Sequence, residues 1–106
     1  MTVEDLTVGK GAPSTKGKFV HVYYKGYLQS NKKQFDACLS GKPFAFRLGG
    51  GDVIQGWDLG VEGMREGGRR RLTIPAPLGY GRSGAPPDIP PNATLGFEVT
   101  LVKVAP

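Results

Sequence analysis

Six aromatic side chains lie on separate predicted elements of this sequence and form its most unusual feature. A core of this size seldom needs a tryptophan and several tyrosines, because their polar atoms require hydrogen-bond partners once they are buried. Two interpretations remain open: an ordinary aromatic core, or a concave apolar pocket with a few polar groups at its rim. The second interpretation makes this set the first candidate for a ligand site. The six residues are Tyr24, Phe35, Phe46, Trp57, Tyr80 and Phe97.

Other kinds of site chemistry find little support in the residues. His21 is the only histidine and Cys38 the only cysteine, so a zinc site built from Cys and His is excluded. Any histidine-dependent triad would have to use His21, and no serine lies on a nucleophile elbow. The sequence therefore predicts no metal site, no cofactor and no covalent catalysis. A single free thiol is typical of a reducing compartment, either the cytosol or the nucleus.

The positive charge is concentrated in one segment. The net charge is +5, and residues 65–71 combine four arginines with one glutamate. Such a patch could contact nucleic acid or an acidic protein through Arg69, Arg70 and Arg71. Alternatively, these residues form a solvated strand edge whose cations block further pairing. A strand would place Arg69 and Arg71 on one face and Arg70 on the other. Fewer arginines would then lie side by side on one surface than the sequence suggests.

The chain of 106 residues is long enough for one domain with a single core. Its 17 glycines and 9 prolines are best interpreted as turns, because the apolar residues between them alternate as they do in strands. No apolar run approaches the ~18 residues of a membrane span. The acidic start of the chain does not resemble a signal peptide. We expect a monomer that does not associate with membranes.

Five short strands are predicted from this alternation. In the first, Val20, Val22 and Tyr24 share one face. In the last strand, the apolar residues again occur at every second position and share one face. They are Leu95, Phe97, Val99 and Leu101. The predicted strands are residues 19–28, a short strand around Phe35, and residues 44–48, 70–74 and 95–104.

Between the third and fourth strands the period changes to that of a helix. Within residues 52–64, Trp57, Val61 and Met64 fall on one helical face, and Asp52 lies where an N-cap would be useful. Interior glycines weaken this helix, so packing must hold it. The predicted fold class is α+β, an antiparallel sheet whose apolar face is folded over one short helix.

Over essentially its whole length the sequence resembles the FK506-binding-protein type of peptidyl-prolyl cis-trans isomerase (FKBP). The order and spacing of the matching segments agree with that family throughout. The resemblance is strongest to the basic, nuclear branch, and it implies one isomerase domain over residues 1–106, excised from a longer chain. The matching segments are residues 22–28, 35–36, 43–46, 53–58, 72–75, 79–81 and 89–95.

The resemblance implies a half-barrel of five or six antiparallel strands around the helix, with the pocket between them. It makes Trp57 the floor on which a prolyl ring lies, and it makes the backbone N–H of Ile54 and the hydroxyl of Tyr80 hydrogen-bond donors. The implied catalytic residues are Asp36, Trp57, Tyr80 and Phe97. The implied substrate- and ligand-binding residues are Tyr24, Phe35, Asp36, Phe46, Val53, Ile54, Trp57, Tyr80, Ile89 and Phe97.

The same resemblance implies proline-containing peptides as substrates and macrolides such as FK506 and rapamycin as inhibitors. It implies a nuclear or cytoplasmic location, with the nucleus favoured, and histone or nucleic-acid contacts through flanking regions. Two alternatives stay open: a proline-binding adaptor or chaperone module, and a basic chromatin or nucleic-acid contact domain. Many family members carry an arginine in the loop before Lys42, where this chain has Leu39-Ser40-Gly41. No ion pair from that loop to Asp36 is therefore expected.

Overall fold

Six antiparallel strands form one sheet, and a short helix packs against it, in the computed structural model, which describes residues 1–105. The predicted α+β class is confirmed, with the higher of the two expected strand numbers. No helix in this part of the chain is long and apolar enough to cross a membrane. The elements are β1 (Thr2–Thr7), β2 (Phe19–Leu28), β3 (Gln34–Cys38), β4 (Phe44–Arg47), α1 (Gln55–Val61), β5 (Arg69–Ile74), a 3₁₀ turn (Ala76–Leu78) and β6 (Leu95–Ala105).

Strand β2 organises the sheet because three strands pair with it. Strand β6 pairs along its whole length on one side. On the other side, β4 pairs with the first half of β2 and β3 with the second half. The strand order is β1-β5-β6-β2-β3, with β4 beside β2. The strands that carry Phe35, Phe46 and Phe97 are therefore all direct neighbours of β2.

Strand β1 was not predicted, and its presence corrects one interpretation of the basic segment. The charged residues Glu4 and Asp5 interrupt the apolar alternation that predicts a strand. In the structure, Glu4 pairs in register with Arg71 of β5, and Asp5 pairs with Arg70. Since β5 lies between β1 and β6, its arginines do not protect a free sheet edge. The strand-edge interpretation is wrong.

The predicted alternation of the strands is confirmed by burial. The inward residues of β2 and β6 are almost completely inaccessible to solvent, and partly buried aromatic residues pack against them. Less than 2% of the surface is exposed to solvent in Val20, Val22, Leu48, Val61, Leu72, Ile74, Leu95, Val99, Leu101 and Ser14.

Helix α1 is shorter than the predicted segment of residues 52–64. It spans Gln55–Val61, and Met64 is buried beyond its end. The predicted N-cap was wrong: Ile54 occupies that position without a side-chain cap, and the Asp52 carboxylate instead accepts a hydrogen bond from the Arg47 N–H at 3.3 Å. The Asp52 side chain is thereby held against the end of β4 and does not cap the helix.

The two interior glycines of α1 let the helix approach β5 closely. A Cβ atom on Gly56 would lie 2.5 Å from Ile74, and one on Gly60 would lie 2.8 Å from Leu72. Each glycine costs a helix interior about 1 kcal/mol relative to alanine. This cost is offset by the close packing, which brings the first turn of α1, with Trp57, down onto the sheet.

Candidate aromatic pocket

A cavity of about 200 Å³ opens where the start of α1 meets strands β2, β3, β4 and β6. It receives residues from these strands, from the loop that precedes the helix and from the loop after the 3₁₀ turn. Its walls are predominantly aromatic and aliphatic, with two carboxylates among them. The lining residues are Tyr24, Phe35, Asp36, Phe44, Asp52, Val53, Ile54, Trp57, Tyr80 and Phe97.

Trp57 forms the floor, surrounded by four aromatic rings. Tyr24, Phe97 and Phe44 meet the indole edge to face, with ring centroids 4.8, 5.3 and 6.0 Å away, and Phe46 lies tilted at 5.6 Å. Only 4% of Trp57 remains exposed. Its indole Nε1 is buried and has no hydrogen-bond partner within residues 1–105. The indole is therefore held by packing and not by a hydrogen bond from its ring nitrogen.

At the rim, Asp36 is held by two neutral donors. Its Oδ2 accepts a hydrogen bond from the Tyr24 hydroxyl at 2.7 Å, and its Oδ1 accepts one from the Ala37 N–H at 2.9 Å. Burial raises the pKa of Tyr24 above its usual value, and the hydrogen bond and negative charge of Asp36 raise it further. Tyr24 is consequently a neutral donor throughout the physiological pH range.

Two hydrogen-bond donors of the pocket are free. Neither the Ile54 N–H nor the Tyr80 hydroxyl makes a hydrogen bond to any acceptor within residues 1–105. The pKa of Tyr80 is raised by burial and then by the charge of Asp36, which keeps the phenol protonated. Two unused donors beside an apolar floor are suited to a ligand that combines an apolar ring with carbonyl oxygens.

The structure brings most of the expected pocket residues together. Two of them do not line the cavity. Phe46 is 2% exposed and packs behind Trp57, and Ile89 is 4% exposed beneath its own loop, where its backbone pairs with Ala85. Both are core residues in this structure rather than part of the cavity lining.

Two lining residues were not expected, namely Phe44 and Asp52. Phe44 shares the inward parity of Phe46 on β4, so the alternation contained the necessary signal. It lies at the cavity because it is nearer to Tyr24, with ring centroids 6.0 Å apart. Asp52 precedes Val53 and Ile54 directly, but it was interpreted as a helix cap.

Arg69, Arg70 and Arg71 do not line the cavity, and each of them forms a salt bridge. Arg69 and Arg71 contact Glu98, and Arg71 also contacts Glu4. Arg70 reaches Asp5 and, from its other side, donates hydrogen bonds to the carbonyls of Gly60 and Glu62 at the end of α1. The nucleic-acid role of Arg69, Arg70 and Arg71 stays a prediction, and these pairings do not favour it.

Comparison with known proteins agrees with this geometry. The model of the family "FKBP-type peptidyl-prolyl cis-trans isomerase" matches residues 10–102. The chain is 58% identical over 102 residues to the 39 kDa FK506-binding nuclear protein of Drosophila melanogaster, covering 96% of this chain and 29% of that protein. It is 50% identical over 105 residues to the FK506-binding protein of Neisseria meningitidis, covering 98% of this chain and 95% of that protein.

Among solved structures, the crystal structure of FkpA from Escherichia coli matches with a TM-score of 0.86 and 42% identity, covering 98% of this chain and 47% of that one. The chain thus spans less than a third of the Drosophila relative and nearly all of the Neisseria relative. With a family model that matches most of its residues and a relative of similar length that is half identical to it, the chain belongs to the family of FKBP-type peptidyl-prolyl cis-trans isomerases.

Proposed function

We propose that this chain catalyses cis–trans isomerisation of Xaa-Pro peptide bonds with the prolyl ring seated on Trp57. The single observation that carries the proposal is the aromatic cavity of about 200 Å³ with an indole as its floor. Sites for whole small molecules usually measure about 300–1,000 Å³. A smaller cavity is suited to one ring of a chain that continues outside it.

The proposed mechanism is removal of water from a twisting amide. Rotation about the peptide bond has a barrier of about 18–20 kcal/mol, which arises from amide resonance. Water stabilises the planar, charge-separated amide more than the twisted one, so an apolar surface favours the transition state over the ground state. The rings of Tyr24, Trp57 and Phe97 supply such a surface.

The free donors add a second contribution. The Ile54 N–H and the Tyr80 hydroxyl can bind carbonyl oxygens of the substrate, which fixes the segment while the prolyl amide rotates. A 10⁴-fold acceleration requires roughly 5.5 kcal/mol, whereas one neutral hydrogen bond contributes about 1 kcal/mol. Catalysis is therefore distributed over the pocket, and no single side chain is indispensable.

In this scheme, Asp36 and Phe97 shape the pocket and orient its other side chains. Asp36 holds the Tyr24 hydroxyl and can accept a hydrogen bond from a ligand, while Phe97 packs edge to face against Phe35 with centroids 5.6 Å apart. Together with Val53 they complete the walls around the prolyl ring.

We further propose that the pocket binds macrolides of the FK506 and rapamycin type and that the protein acts in the nucleus. The relatives from Drosophila melanogaster and Spodoptera frugiperda are named FK506-binding nuclear proteins. These names support both statements by similarity. Isothermal titration with FK506 tests the first, and microscopy of the tagged protein in its own cells tests the second.

The decisive experiment for catalysis is NMR exchange spectroscopy on a short peptide of the type Ala-Leu-Pro-Phe. We expect the exchange between its cis and trans signals to accelerate in proportion to enzyme concentration and to return to the uncatalysed rate when FK506 is added. Binding of the peptide without faster exchange would replace the isomerase by the proline-binding adaptor module.

A further inference from the structure

The outer face of the sheet carries a groove that the aromatic pocket does not use. Three depressions of about 210, 490 and 480 Å³ lie along it. The first two share Lys25 and Glu98, and the last two share Gln29, so they adjoin one another. They follow strand β2 through the side chains that alternate with the inward ones, namely Tyr23, Lys25 and Tyr27. This surface is called the outer groove below.

The middle of the outer groove is formed by a tyrosine that lies on a glycine. Gly96 is the register partner of Tyr27 on β6, and the tyrosine ring occupies the space that a Cβ atom of Gly96 would need. At one end, the groove continues past Gln29 to the loop of residues 90–94. At about 3.3 Å per residue, the distance from Tyr23 to Gln29 is roughly 20 Å. An extended peptide of about six residues has the same length, because its rise per residue is that of a strand.

The charge of the outer groove is predominantly positive. Its lining includes four cations and one carboxylate, Glu98 on β6. Glu98 is shared between Arg69 and Arg71, at 3.2 and 3.9 Å. The other two cations, Lys25 and Lys32, form no salt bridge in the part of the chain that the structure describes. Two uncompensated ammonium groups therefore belong to the central depression, which both lysines line.

Lys32 reaches this depression from an unusual backbone conformation. Its φ angle is 62°, in the left-handed region that glycine and asparagine adopt more readily than lysine. The Lys32 N–H donates a hydrogen bond to the Leu28 carbonyl at 2.8 Å, in the turn between β2 and β3. Its ammonium lies 5.5 Å from the centroid of the Tyr27 ring. A lysine at a position suited to glycine favours a role for the lysine side chain.

From these observations we propose that the outer groove is a docking surface for an extended acidic segment of a partner protein. Its carboxylates pair with Lys25 and Lys32, and the side-chain amides of Gln29 and Gln34 offer hydrogen bonds to its backbone. A nucleic acid fits less well, because its regularly spaced phosphates would also pass Glu98, whereas a peptide can place a neutral residue there. The proposal does not depend on isomerisation, since neither lysine lines the aromatic pocket.

The expected affinity is modest because the groove is open to water. Lys32 is exposed and Lys25 is half-buried. One exposed ion pair changes an equilibrium by up to about fivefold, so the two lysines together should contribute roughly tenfold. Salt should weaken the contact, since the screening length is about 10 Å at 0.1 M ionic strength.

The test is an NMR titration of the protein with two hexapeptides that have blocked termini and contain no proline. The acidic peptide is Glu-Glu-Ser-Gly-Glu-Glu, and the control peptide has Gln in place of each Glu. At low salt we expect the acidic peptide to bind about tenfold more tightly than the control. The chemical shifts should change at Lys25, Tyr27 and Lys32 and stay constant at Trp57 and Tyr80. Addition of 0.5 M NaCl should remove most of the difference between the peptides.

Three variants test whether the two lysines are responsible. Lys25→Gln should weaken binding of the acidic peptide about threefold. Lys32→Gly should weaken it by a similar factor without lowering resistance to urea, because glycine adopts the left-handed conformation without strain. Lys10→Gln is the matched control. It removes the same charge from an exposed position that lines none of the three depressions, and it should leave the affinity unchanged.

Three outcomes would overturn the proposal. The first is equal affinity for the acidic and the control peptide. The second is a loss in Lys10→Gln as large as in Lys25→Gln, because the attraction would then come from the net charge of +5 and not from the groove. The third is tighter binding of a thymidine pentanucleotide, which has about the same charge as the acidic peptide and would identify the partner as a nucleic acid. None of them affects the isomerase, which the exchange experiment on the Xaa-Pro peptide tests separately.

Discussion

The Tyr24 hydroxyl donates a hydrogen bond of 2.7 Å to Asp36, which anchors the polar tip of this tyrosine at the rim of the pocket. The same tyrosine meets the indole of Trp57 edge to face, with ring centroids 4.8 Å apart. A ring that is fixed at both its polar tip and its apolar edge has little freedom to rotate into the cavity. Asp36 therefore helps to keep the cavity open by holding Tyr24, whatever contact it makes with a ligand.

The rate of isomerisation should be nearly constant between pH 7 and pH 9. The pKa values of Tyr24 and Tyr80 are both raised above the usual 10.0, so both phenols keep their protons over this range. Activity should fall only at more alkaline pH, as the donors ionise. The measurement is NMR exchange with a peptide that has blocked termini and no ionisable side chain. A sigmoidal fall centred near pH 8 would show that a different titrating group is required.

Tyr80→Phe should reduce kcat/KM about fivefold and leave the fold intact. The substitution removes one neutral hydrogen bond, which contributes about 1 kcal/mol, from a side chain that is 40% exposed. Exchange spectroscopy gives the rate, and circular dichroism with urea unfolding checks the fold. Complete loss of activity in a folded variant would contradict distributed catalysis.

Trp57→Phe should weaken the binding of a Xaa-Pro peptide by reducing the apolar floor. Phenylalanine is preferable to alanine here, because Trp→Ala substitutions in a core typically cost about 3–5 kcal/mol of stability. Calorimetric titration measures the affinity. Leu59→Ala on the same helix is the control, since Leu59 is 52% exposed. If the affinity of Trp57→Phe equals that of the control, the indole is not part of the binding surface.

Glu66→Gln should destabilise the protein at pH 7 more than at pH 3. The Glu66 carboxylate accepts hydrogen bonds from the N–H groups of Val104 at 2.7 Å and Ala12 at 3.3 Å, and these bonds lower its pKa from 4.5. A lowered pKa in the folded state means that the stabilisation is present at neutral pH and is lost as the pH falls below 4.5. Urea unfolding of both proteins at the two pH values measures the difference. Glu62→Gln controls for loss of a negative charge; a Glu66→Gln effect that is the same at both pH values would exclude the ionised carboxylate as its source.

Gly56→Ala should destabilise the protein although alanine is the better helix former. The gain in helix propensity is about 1 kcal/mol, but the new Cβ would lie within 2.5–2.8 Å of three atoms of Ile74, and overpacking costs about 1–3 kcal/mol. One of these atoms is the Cδ1 that Ile74→Val removes. The double variant should therefore be more stable than the sum of the two single changes predicts, by urea unfolding. Additive effects would show that the contact is relieved elsewhere.

Several elements of the fold could be predicted because their residues satisfy a local rule. The alternation of Val20, Val22 and Tyr24 fixes the inner face of β2, whatever strands lie beside it. Strand β1 escaped prediction since Glu4 and Asp5 look like solvent-exposed residues until β5 supplies their arginine partners. The same pairing places acidic partners beside Arg70 and Arg71.

The pocket was predictable only in part, for a related reason. Resemblance to a family identified Tyr24, Trp57 and Phe97, and the spacing of apolar residues along strand and helix also placed them inward. Such spacing does not distinguish a residue that lines a cavity from one that lies behind it. Phe44 and Phe46 share that spacing, and only packing around Trp57 places the first at the cavity and the second beneath it.

By itself, the sequence determined which side chains of β2 and β6 face inward and that aromatic residues dominate the site, because these properties depend on residue type and on spacing along the chain. Only the tertiary structure decided which charges are paired and which remain at the rim. Asp5 and Glu4 meet arginines on a neighbouring strand, whereas Asp36 and Asp52 meet neutral donors. Charge pairing depends on distances between residues far apart in the chain, and those distances exist only once the sheet has formed.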